Sequence, residues 1–158
     1  MIEFDVTIKA GDLYDYMLHH TYSGFSGLFG SLVGALMVVA GIYLKGGLLV
    51  VAGVILLLYL PWTLFLRSKQ QVLANPAFKK PLHYKLDDEG IHVSQDGTEE
   101  MQKWEDIRKA VSTGRSLIVY TSKVNACIFP RRDLGEYTPQ VIQVLETHLP
   151  AGKVKIRQ

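Results

Sequence analysis

The stretch TYSGFSGLFGSLVGALMVVAGIYLKGGLLVVAGVILLLYLPWTLFL, residues 21–66, carries one charged side chain, Lys45. A helix advances about 1.5 Å per residue and the hydrocarbon core of a bilayer is about 30 Å thick, so about 20 uncharged residues suffice to cross it. Two such segments are present, 21–44 and 46–66, separated by the turn Lys45-Gly46-Gly47. So tight a turn makes them antiparallel neighbours. Burying both helices all round would take far more protein than the rest of the chain supplies, so the expectation is a transmembrane hairpin.

The remaining sequence is different material. The 158 residues are 48% hydrophobic and 20% charged, and all but one of the 17 Lys and Arg, with all 15 Asp and Glu, lie outside 21–66. Before Thr21, Lys9 stands against Glu3, Asp5, Asp12 and Asp15. That is the wrong sign for a cleavable signal peptide, so the first span is expected to stay. Arg67, Lys69, Lys79, Lys80 and Lys85 follow the second span while the tip has only Lys45, which places both termini in the cytoplasm of a multi-pass protein. Tyr22, Tyr59 and Trp62 suit a headgroup boundary. Gly27, Ser31 and Ala35, with Gly30, Gly34 and Gly41 beside them and Ala52 and Gly53 on the second span, allow close helix approach, within the hairpin or in an oligomer. Pro61 is expected to kink or loosen the second helix. No Asp, Glu, Arg or His lies in either span, so no proton relay is supported.

Five segments follow. Residues 1–20 hold a strand, with Ile2, Phe4, Val6 and Ile8 alternating with polar residues, and a short helix from Asp12 to His20. The hairpin occupies 21–66. In the juxtamembrane helix and linker, 67–80, the helix continues from Arg67 to Ala74 and is stopped by Asn75-Pro76. In 81–150, the turn Asp87-Asp88-Glu89-Gly90 sets Tyr84 opposite Val93 and Leu86 opposite Ile91, leaving His83, Lys85, His92 and Ser94 on the solvated face. Asp96-Gly97 marks the next hairpin. A two-residue loop there turns Glu100 and Gln102 inward, and a three-residue loop Met101. Leu117–Tyr120 and Ala126–Phe129 read as central strands. Thr138, as N-cap before Pro139, opens a helix with the stripe Val141, Ile142, Leu145 and Leu149, ended by Pro150. A bent sheet closed by this helix, with the N-terminal strand joining it, is the simplest arrangement that buries the stripe. The basic tail, 151–158, is expected to be mobile.

With this element order, Trp104-Glu105-Asp106-Ile107 and Ile128-Phe129-Pro130-Arg131-Arg132 resemble the YcxB-like family of bacterial membrane proteins, over most of the chain. The resemblance implies an α+β protein with a C-terminal domain of pleckstrin-homology-like (PH-like) build, a bent antiparallel sheet capped by a helix, facing the bacterial cytosol. The family brings no established catalytic residues or role, so none is carried over.

Chemistry is sparse. No nucleotide loop, HExxH, GxSxG or zinc signature occurs, and no catalytic, cofactor or metal residue is assigned. Adjacent His19 and His20 diverge on a helix and are expected to be solvated or interfacial. The single Cys127 rules out an internal disulfide and reads as a small core residue. A net charge of +2 and no RNA- or DNA-binding motif exclude nucleic acid. Candidate contacts for a partner or lipid are Trp104, Asp106, Arg131, Arg132, Lys79 and Lys80. The leading expectation is a non-enzymatic binding or regulatory protein without cofactor, tethered to the bacterial cytoplasmic membrane. Its cytoplasmic domain would dock a protein partner, with self-protection against a membrane-active toxin among the roles that fit. Recognition of anionic lipid, and a small oligomeric channel or transport accessory, are the alternatives.

Overall fold

The computed structural model describes residues 1–157. Strand β1 (Ile2–Val6) leads into helix α1 (Ala10–Tyr22), then α2 (Phe25–Tyr43) and α3 (Gly47–Ala74). Strands β2 (Leu82–Leu86), β3 (Gly90–Gln95) and β4 (Thr98–Lys103) follow, and a turn of 3₁₀ helix, Trp104–Asp106, rounds the corner to β5 (Lys109–Ser112), β6 (Ser116–Tyr120) and β7 (Ala126–Pro130). The short helix α4 (Arg131–Leu134), the C-terminal helix α5 (Thr138–His148) and β8 (Val154–Lys155) complete the described chain.

The strands form two sheets, ordered β1-β2-β3-β4 and β7-β6-β5-β8, in place of one bent sheet. Every pairing is antiparallel except β5 with β8. The alternation at the N-terminus finds its sheet at once: Phe4 faces Tyr84 and Val6 faces Leu82, so β1 hydrogen-bonds to β2 although α1, α2 and α3 lie between them in sequence. One apolar core joins Phe4, Val6 and Ile8 to Tyr84, Leu86, Ile91, Leu117, Val119 and Phe129, and to Val141, Ile142, Leu145 and Leu149 from and just beyond α5. Phe129 meets Phe4 and Tyr84 edge-on, with ring centroids 5.2 and 4.9 Å apart. Such contacts contribute about 0.5–1.5 kcal/mol each beyond simple burial.

The β2–β3 register is the expected one, Tyr84 opposite Val93 and Leu86 opposite Ile91. At Asp96-Gly97 the two-residue loop is realised, with Gln95 opposite Thr98 and φ of 52° and 82° at the two turn residues, as a type I′ hairpin requires. Glu100 and Gln102 avoid the core because β4 is an edge strand, whose inner face borders an open crevice. Only β6 of the two expected central strands is central; β7 is an edge.

Thr138 is the first residue of α5 and not its cap. A 3₁₀ turn, Gly135–Tyr137, feeds directly into the helix, and the Thr138 hydroxyl donates to the Gly135 carbonyl. The tail is tied down as far as it is described. β8 pairs with β5, the Arg157 amide donates to Ser112 Oγ at 2.7 Å, and the Arg131 guanidinium donates to the Arg157 carbonyl at 3.1 Å. Gln158, the last residue of the expected mobile tail, lies outside the described residues.

Helices α2 and α3 are long and apolar enough to cross a membrane, and 17% and 11% of their most apolar stretches are buried. The turn between them closes with bonds from Gly46 N–H to Gly41 O and from Lys45 N–H to Ile42 O, a Schellman arrangement with Lys45 at φ 54°. Gly34, Gly41 and Gly53 are buried where the helices meet. A Cβ on Gly53 would stand 2.8 Å from the Gly34 carbonyl oxygen. Ala35 faces outward, so the small residues divide between the hairpin contact and its surface. α3 runs unbroken through Pro61, and the Thr63 hydroxyl donates to the Tyr59 and Leu60 carbonyls in the adjoining turn.

Candidate functional site

The candidate contact residues scatter. Trp104 is buried, donates its indole N–H to the Asp87 carbonyl at 2.8 Å and stacks on His148 with centroids 4.7 Å apart. It therefore fastens the β2–β3 turn to α5, while Asp106 near it is exposed. Arg132 grips the carboxylate of Asp12 with both terminal nitrogens, at 2.6 and 2.8 Å, and donates to the Thr7 carbonyl. Asp12 is buried and also accepts from the Lys9 amide, so this pair clamps the β1–α1 junction to α4. Hydrogen bonding to Asp12 raises the Arg132 pKa. Arg131 holds the tail, Lys80 pairs with Asp96 at 2.8 Å, and Lys79 is exposed. These six residues form no common surface.

A different cluster forms where α1 lies against the second sheet. Asp15 accepts a hydrogen bond from the Thr113 hydroxyl, and the Tyr16 hydroxyl donates to the Val124 carbonyl. The rings of Tyr16, His20 and Tyr120 then pack together with centroids 5.8–5.9 Å apart. Beside them opens a recess of about 400 Å³ lined by His20, Arg108, Lys109, Tyr120, Ser122 and Lys123. The Lys109 ammonium sits 4.6 Å above the Tyr120 ring. Among the described residues, no carboxylate forms a salt bridge with Arg108, Lys109 or Lys123. Tyr120 is buried and its hydroxyl has no hydrogen-bond partner. Burial and the neighbouring Tyr16 push its pKa up to about 12, so at neutral pH the hydroxyl keeps its proton and can donate. His19, on the same turn of α1, is pushed down by burial and by Lys109. Neither histidine is simply solvated: both are half-buried.

Sequence reasoning misses this recess because its residues come from α1, from the start of β5 and from the β6–β7 loop. The available signal was Arg108-Lys109 before a short apolar strand, together with Lys123 in a turn.

A larger crevice of about 650 Å³ runs along the open edge between β4 and β7. Tyr84, Val93, Cys127 and Ile128 line it within, Glu100 and Gln102 on one side, and Met17 and Gln71 where α1 and α3 approach. Burial pushes the Cys127 thiol up to about 11, a small apolar side chain in effect and a poor nucleophile at neutral pH. Across the sheet, His83 meets Asp5 at 2.7 Å and His92 meets Asp87 and Glu99 at 3.1 and 3.2 Å, so the polar face of β2 and β3 carries ion-pairing positions. No cluster of three metal-ligating side chains occurs among the described residues.

Neither the curated proteins nor the solved structures provide a match to this chain. Residues 86–149, from the end of β2 to the residue after α5, match the family model described as YcxB-like protein, the family the sequence resembles.

Proposed function

We propose that the chain is a membrane-anchored, non-enzymatic binding protein of a bacterial cytoplasmic membrane. In this reading α2 and α3 cross the bilayer as a hairpin, both termini are cytoplasmic, and a two-sheet domain of PH-like build docks a protein partner. One observation carries it. The outward side chains of α2 and α3, among them Leu28, Leu32, Leu36, Val39, Ile55 and Leu58, are exposed by more than half, whereas the core of the two sheets is packed to near-complete burial. A water-facing apolar surface of that extent is untenable for a dispersed protein, and lipid is the natural cover. The sidedness rests on Arg67 and Lys69 at the end of α3 against the lone Lys45 at the tip. The PH-like reading rests on four antiparallel strands, a corner, a second sheet and a closing C-terminal helix.

Single cysteines at position 45 and position 158, in a Cys127→Ala background, test the anchor and its sidedness in intact cells. An impermeant thiol reagent is expected to label position 45 and to reach 158 only after lysis; equal labelling of both overturns the sidedness. In-cell crosslinking followed by mild-detergent purification is expected to recover a stoichiometric protein partner. A chain recovered alone in repeated experiments overturns the docking role.

A further inference from the structure

We propose that the recess formed by His20, Arg108, Lys109, Tyr120 and Lys123 holds the phosphate of an anionic phospholipid. The inference rests on the membrane reading above and deepens it by naming what the anchored domain recognises at the bilayer surface.

Position comes first. His20 lies in the last turn of α1, and after the bend at Ser23 and Gly24 the chain enters α2 at Phe25. A recess at that junction sits at headgroup depth when α2 crosses the bilayer. α1 is held there by more than its covalent link, because the Tyr16 hydroxyl bonds the β6–β7 loop at Val124 and the Tyr16, His20 and Tyr120 rings pack as a group. The loop that carries Lys123 is itself ordered by Ser122, whose hydroxyl accepts from the Val124 and Asn125 amides.

Charge and donor chemistry come next. Arg108, Lys109 and Lys123 line one recess without forming salt bridges, whereas Lys80, Lys85, Lys103 and Arg132 elsewhere each have an acidic partner. The nearest carboxylate on α1, Asp15, is occupied by the Thr113 hydroxyl. The second, independent observation is Tyr120: it lines the recess, is 2% exposed, and its hydroxyl lacks an acceptor. A buried hydroxyl left without a partner is costly, and an anionic oxygen supplied from outside removes that cost. Guanidinium and ammonium groups lining one recess, with an unpartnered phenol hydroxyl buried beside them, are the chemistry of phosphate recognition.

The test uses the full chain reconstituted into vesicles of phosphatidylcholine alone and of phosphatidylcholine mixed with phosphatidylglycerol. Flotation reports insertion, and native mass spectrometry of the extracted protein reports which lipid is retained. Insertion into both vesicles is expected, with retention of phosphatidylglycerol over phosphatidylcholine. Each basic side chain at an anionic surface contributes about fivefold, so R108Q/K109Q/K123Q is expected to lose about a hundredfold in that preference. K79Q/K80Q/K103Q, the same change of charge away from the recess, is expected to leave it within about twofold. Tyr120→Phe removes one donor to a charged acceptor and is expected to cost roughly tenfold, while stabilising the chain in phosphatidylcholine.

Insertion without lipid preference, or an equal loss in both triple variants, overturns the lipid site and leaves the membrane reading standing. Failure to float with either vesicle overturns both. Displacement of the retained lipid by inorganic phosphate at equal concentration identifies a soluble anion as the true occupant and overturns the lipid assignment.

Discussion

Arg132 shows how a basic residue that looks available for a ligand can be spent inside the molecule. Its guanidinium meets a buried carboxylate in a two-point grip, so its loss strands Asp12 with the Lys9 amide as its remaining donor. Breaking a buried pair in this way costs roughly 3–5 kcal/mol, with the lower end expected because about a third of the Arg132 side chain is exposed. Arg132→Gln is therefore expected to lower chemical-denaturation stability by about 3 kcal/mol, and Arg131→Gln by much less. His19 gives a pH dependence. Its folded pKa lies below the usual 6.5 because burial and Lys109 disfavour the charged form. The unfolded chain thus binds the proton more readily, and stability falls as the pH drops from 6.5 through the lower folded value. His19→Gln is expected to flatten that limb in melts between neutral and mildly acidic pH, with little change at alkaline pH. Neither role could be read from the sequence, because each depends on partners distant in the chain: Asp12 for Arg132, and the strand bearing Lys109 for His19.

Among the elements, the helical hairpin and the β2–β3–β4 meander were the most legible, because local chemistry decides them. A charge-free run with Lys-Gly-Gly at its middle, and Asp-Gly between alternating stretches, leave few alternatives. The start of α5 and the strand β5 were not legible. Four residues, Lys109–Ser112, give too short a pattern, and the cap of α5 is displaced by the 3₁₀ turn before it. Two predictions belong here. Gly53→Leu drives a side chain into the Gly34 carbonyl and Val38, and is expected to separate α2 from α3 at a cost of about 1–3 kcal/mol, read as a lower detergent melting temperature. Lys45 sits at a positive φ that favours glycine, so Lys45→Gly is expected to raise that temperature slightly, with a gain of about 1 kcal/mol.

For the whole molecule, the two sheets and α5 form one core to which β1 contributes Phe4 and Val6, while the apolar helices leave and re-enter between β1 and β2. The overall α+β build was legible, and the split into two sheets was not, since a corner at Trp104–Asp106 leaves no periodic trace. α1 and the end of α3 also belong to this packed body: Leu13 joins its core, and Val72 packs against it. Replacing residues 23–66 by a short Gly-Ser linker is therefore expected to leave a folded protein. Its dispersion without detergent and a cooperative melt would check this, and aggregation with loss of the melt would contradict it.

The pairing of β1 with β2 also imposes an order of events during synthesis. Residues 2–6 are made before either long apolar helix, yet the strand that completes their hydrogen bonds is made only after both. The nascent chain must therefore carry β1 unpaired until residues 82–86 have been made, and closing that strand pair brings together the two ends of the helical segment between them.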